Sequence, residues 1–82
     1  MTASPASFID VISLWETTAE FARQIGEPYE NARQWRLNDS IPARAFDPIV
    51  RAARENGHHG VTHELLCGFA AAKHEQRIEA RA

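Results

Sequence analysis

Thr18–Trp35 reads TAEFARQIGEPYENARQW, and the rest of the chain is understood by extension from this stretch. Just before and into it, Thr17-Thr18-Ala19-Glu20 has the form of a capping box. In that motif the Thr17 hydroxyl accepts the Glu20 backbone N–H and the Glu20 carboxylate reaches back to the cap. A helix from Thr18 to about Ile25 follows, with Phe21, Ala22 and Ile25 facing inward. Gly26 ends it, because a tight turn needs a left-handed backbone that glycine adopts without steric cost. Pro28 suits the first position of the next helix, where its missing N–H is not needed. That helix is expected over 28–36, with Ala32 and Trp35 buried. Ala22, Gly26, Ala32 and Trp35 thus have the spacing of a helix-turn-helix. A small residue sits where the helices cross, a glycine follows four residues later, and inward residues lock the crossing. A helical hairpin used for packing alone would read the same way.

Toward the N-terminus, residues 1–6 are small and polar and are expected to be loose. A first helix should begin near Ser7, because Phe8, Ile12 and Trp15 share a face at i, i+4 and i+7. Ile and Val also suit a strand, but the stretch does not alternate strictly and has no second strand to pair with. Toward the C-terminus, Leu37-Asn38-Asp39-Ser40 reads as a turn. Ile41-Pro42-Ala43-Arg44 opens a fourth helix that runs to Glu55, with Phe46, Ile49, Val50 and Ala53 inward. Asp47-Pro48 looks like a second cap-plus-proline start, so a kink or split is expected there. Residues 56–60 form a loop, and Thr62 caps a last helix expected over 62–80. That helix carries Leu65, Leu66, Phe69 and Ala70 on one side, continues toward Ile78 and ends in polar turns. The expectation is one all-α domain of five helices over 1–82, with the helix-turn-helix at 18–36.

The chain has 82 residues and carries 9 Lys or Arg against 11 Asp or Glu, a net charge of −2. This balance argues against a protein that coats nucleic acid by bulk attraction. The distribution is uneven. Residues 23–54 hold six arginines (23, 33, 36, 44, 51 and 54) against Glu27, Glu30, Asp39 and Asp47, a local excess of +2. A phosphate backbone meets local charge within a Debye length, so the middle third is the stretch suited to it. No apolar run approaches membrane-spanning length, and the N-terminus lacks a basic segment followed by an apolar one. Cys67 has no second cysteine to pair with. A cytoplasmic, nucleoid-associated location is expected. A domain this small is marginally stable alone, so a homodimer is expected.

If 28–36 is a recognition helix, its outer face is Tyr29, Glu30, Arg33 and Gln34, with Asn31 and Pro28 at its edge. Arg33 suits guanine O6/N7, Gln34 suits adenine, and Glu30 can accept from cytosine N4. Thr18, Arg36, Ser40 and Arg44 are placed to hold phosphates on either side. Glu30 also suits a helix N-terminus by charge alone. His63, Cys67 and His74 line one face of the last helix, with His58 and His59 before it. Zinc sites use four Cys or His ligands in paired short motifs, and no second thiol exists, so no metal is expected. Cys67 beside histidines is a nominal nucleophile and base, but a short helical chain offers little cavity. No enzyme activity, cofactor or small-molecule ligand is expected.

Trp35-Arg36, a short polar turn and Ile41-Pro42-Ala43-Arg44, following Ala22, Gly26 and Pro28-Tyr29, resemble small phage-type Cro/CI repressor domains. Domains of this lambda-repressor-like kind occur in alphaproteobacterial prophages and phage-derived gene clusters. The likeness spans about residues 8–70. It implies a five-helix domain that represses nearby promoters, often as a dimer on an inverted repeat of double-stranded DNA. It also implies that Tyr29, Glu30, Arg33, Gln34 and Arg44 face the DNA. Thr18 stands where the family often has glutamine. The last helix, with apolar residues on more than one side, would be the dimer element. A different class of function also fits. A helical domain of acidic net charge can serve as an adaptor or anti-repressor that docks on another protein through the last helix.

Overall fold

The computed structural model describes the backbone of residues 5–81 and the side chains of 5–73. The expected loose segment 1–6 therefore lies largely outside the described residues, as do the side chains of His74 and Ile78. Among the described residues the chain is all-helical. The helices are α1 (Phe8–Ile12), α2 (Thr18–Ile25), α3 (Tyr29–Asn38), α4 (Phe46–Glu55) and α5 (His63–Arg81), with a 3-10 turn at Ala43–Ala45. No helix among them is long and apolar enough to cross a membrane.

Three of the five starts carry a side-chain cap. The Ser7 hydroxyl accepts the Asp10 N–H at 3.3 Å and caps α1. The Thr17 hydroxyl accepts the Glu20 N–H at 3.0 Å and caps α2, as the capping box predicts. The reciprocal half of that box does not form. Glu20 instead accepts from Arg23 Nε at 3.0 Å and from Gln24 Nε2 at 2.8 Å. Charged and amide donors one turn along the helix outcompete the backbone N–H for its oxygens. The Thr62 hydroxyl accepts the Leu65 N–H at 3.1 Å at the start of α5.

Two left-handed residues stop the helices that matter most. Gly26 (φ 75°) ends α2, with its own N–H on the Arg23 carbonyl and the Glu27 N–H on the Ala22 carbonyl. Asp39 (φ 49°) ends α3 in the same way, with the Asp39 and Ser40 amides on the Arg36 and Trp35 carbonyls. The third helix thus runs over 29–38 and not 28–36. Pro28 is its extended cap, and Leu37 and Asn38 are its last helical residues and not part of a turn. The break before α4 falls at Ala45–Phe46, two residues before Asp47-Pro48. Pro48 is accommodated in the first turn, where no N–H is required of it. Asp47 caps nothing and pairs with Arg51 at 2.6 Å and His63 at 3.3 Å.

The core joins Phe8, Val11 and Ile12 of α1, Phe21, Ala22 and Ile25 of α2, Ala32 of α3, the inward side of α4, and Val61 and Leu66. Helix α1 is only five residues long, so Trp15 enters from the loop beyond it and still buries. Its indole Nε1 donates to Gln24 Oε1 at 2.9 Å, and its ring meets Phe21 edge-on at 5.0 Å. Leu66 is buried on α5, Leu65 and Phe69 are half-buried, and Ala70 is exposed, contrary to its expected place on the packed side.

Candidate nucleic-acid interface

The α2–α3 pair positions the candidate site. Ala22 and Ala32 are buried, and these two small side chains let the helices approach. With Ala32 turned inward, most of the remaining surface of α3 faces out. Tyr29 is 53% exposed there, and Glu30, Arg33, Gln34 and Arg36 are exposed with it. Tyr29, Arg33, Arg36 and Leu37 line an open depression whose other walls are Thr18 and Ile9. These α3 positions follow i, i+4, i+7 and i+8, so one helical face builds the wall.

The arginines of this region each have an acceptor. Glu30 takes Arg33 Nη1 at 2.8 Å. Thr18 Oγ1 takes Arg36 Nη1 at 3.1 Å, joining the start of α2 to the end of α3. Glu27 takes Arg44 Nη1 on one carboxylate oxygen and Asn31 Nδ2 at 3.0 Å on the other. The Glu27 side chain is only 13% exposed, against 61% for Arg44. Hydrogen bonds from Arg44 and then Asn31 hold its carboxyl below the usual range, against the opposing effect of burial. The Arg44 guanidinium also lies 5.7 Å from the centre of the Trp35 ring.

The sequence-derived set therefore divides. Thr18, Tyr29, Arg33 and Arg36 come together around the depression, with Glu30 paired to Arg33. Gln34 is also exposed, about 100° round α3 from Arg33 and outside the depression. Arg44 and Asn31 meet instead at Glu27, on the flank where α3 begins. Pro28 is exposed at the cap of α3, and Ser40 is half-buried past its end, with its N–H on Trp35. Asn31 is a correction: half-buried and donating to Glu27, it is a support and not part of the open face. Trp35 is another. It was expected to be buried, yet it is half-buried and packs on the edge of the core with one face toward Arg44.

Four residues in or beside the region have no site role in the sequence reading: Ile9, Glu27, Leu37 and Asp39. Glu27 had a signal, since it precedes Asn31 by one helical turn. Its pairing with Arg44, 17 residues away, had none. Among the histidines, His63 is taken by Asp47 and the His58 ring meets Trp15 at 5.7 Å. Cys67 is exposed. The chain matches no family model, no curated protein and no solved structure with which it was compared.

Proposed function

We infer that the chain is a sequence-specific DNA-binding repressor with a Cro/CI-like helix-turn-helix, and that α3 is its recognition helix. One observation carries the reading: after the left-handed Gly26 turn, α3 buries Ala32 and turns Tyr29, Glu30, Arg33 and Gln34 to solvent. These are residue types that read base edges in a major groove. Thr18, Arg36 and Arg44 flank that face and serve phosphates. The acids near it do not weigh against the reading, because Glu27 and Glu30 are each engaged with an arginine. A single helix reads few base pairs, so two copies act together on an inverted repeat, about 34 Å apart. Helix α5, long for this core and exposed at Cys67, Gly68 and Ala70, is the element by which they pair. Repression is steric, by covering a promoter. Genome-wide mapping of bound sites tests the reading: enriched inverted repeats are expected, and an unenriched profile would remove it.

A protein-docking role has one observation in its favour. Tyr29 and Leu37, at 53% and 65% exposure, are the large exposed hydrophobics among the described residues, and both lie on α3. In that reading the same face meets a protein and DNA binding is absent.

A further inference from the structure

The carboxylate of Glu27 lies beside a face proposed to meet DNA, where negative charge should repel. Its surroundings give it a different task. Both oxygens are occupied, one by Arg44 and one by Asn31, and the side chain is 13% exposed. Arg44 is held from two directions, by Glu27 and by the face of Trp35 at 5.7 Å. A guanidinium has five N–H donors in a planar fork. Glu27 uses one nitrogen of that fork, the Trp35 ring lies over its carbon, and the side chain remains 61% exposed. The outward donors of Arg44 are thus ordered before any ligand arrives, and an ordered side chain loses less freedom on binding.

We propose that Glu27 is a positioning residue: it orders Arg44 as a clamp for a DNA phosphate, so that removing this acid weakens DNA binding. The proposal rests on the DNA-binding reading above. It opposes simple electrostatics, under which deleting a carboxylate near a phosphate backbone strengthens association. Arg33 with Glu30 is a weaker version of the same arrangement, since both partners there are largely exposed and the pair stays within one turn of α3.

The probe is a duplex selected by the wild-type protein from a randomised library, titrated over a salt series at a temperature where circular dichroism shows every variant folded. Glu27→Ala and Arg44→Ala should each weaken binding roughly threefold to tenfold and each lower the salt slope by about 1. The double variant should be no weaker than Arg44→Ala. Glu27→Gln keeps an acceptor for the guanidinium and should recover most of the loss. Unchanged or tighter binding by Glu27→Ala, with Arg44→Ala weakened, would overturn the positioning role while leaving the DNA reading intact. An inert Arg44→Ala would overturn the clamp. If the wild-type protein selects no sequence from the library, the DNA reading itself fails and the proposal falls with it.

Discussion

The Asp39 carboxylate accepts the backbone N–H of Ile9 at 3.0 Å. Ile9 is the second residue of α1, and Asp39 ends α3 in the left-handed region, so one residue stops one helix with its backbone and caps another with its side chain. Its second oxygen lies 3.8 Å from Lys73 Nζ of α5. Asn tolerates the left-handed backbone and keeps an acceptor, so Asp39→Asn should stay within about 0.5 kcal/mol of wild type. Asp39→Ala loses both the acceptor and the tolerance and should cost about 2 kcal/mol. Urea unfolding measures both; equal stability for the two variants would refute the capping role.

Gly26 has φ 75°, and no atom lies within 4 Å of where a Cβ would stand. Gly26→Ala therefore meets backbone strain and no clash. It should destabilise by roughly 1 kcal/mol, and Gly26→Asn by less. A loss several times larger in thermal unfolding would mean that the turn is crowded.

Ala32 is 0% exposed, and α2 and α3 pack together around it and Ala22. Ala32→Leu should cost about 1–3 kcal/mol by overpacking. On a domain this small that is a large share of the total stability. Ala43→Leu, at an exposed position, is the control and should be near neutral. A neutral Ala32→Leu in the same denaturant titration would show slack between the helices.

Arg33 and Gln34 are exposed and bury no part of the core. Arg33→Ala with Gln34→Ala should leave the unfolding midpoint nearly unchanged. The pair should lose about 1–3 kcal/mol of base discrimination for each bidentate contact removed. Competition between a selected duplex and random DNA reads this directly. Undiminished preference in the double variant would rule out α3 as the reader.

Arg23 and then Gln24 lower the Glu20 carboxyl from 4.5 to about 2, and Glu27 and Asp47 are lowered too, chiefly by Arg44 and Arg51. A carboxyl whose folded pKa is depressed stabilises the fold fully above its unfolded value, near 4. That contribution fades as pH falls through the folded value. Stability should therefore be level from neutral pH down to about 5 and fall between roughly pH 4 and 2. Glu27→Gln should flatten part of that fall. An unaltered acid profile in this variant would mean that Glu27 is not held by Arg44 in solution.

The starts and stops of the helices were legible because their causes are local. Thr17, Thr62, Gly26 and the apolar spacing of Phe21, Ala22 and Ile25 each act within one turn of chain, and a reader needs only the neighbouring residues. Where a helix end answers to a distant partner, the reading slipped. Helix α3 continues to Asn38 because Asp39, tied to Ile9 30 residues away, takes the left-handed position that a turn at 37–40 did not specify. The candidate face divides along the same line. That Glu30 and Gln34 point outward follows from a 3.6-residue period and a buried Ala32 on the other side of α3; the exposure of Tyr29, three residues from Ala32, does not. Which acceptor holds each arginine does not follow from spacing, because Arg36 meets Thr18 across 18 residues and Arg44 meets Glu27 across 17. The first pairing exists only once α2 and α3 have packed, and the second only once the 3-10 turn that follows α3 lies beside the turn that precedes it.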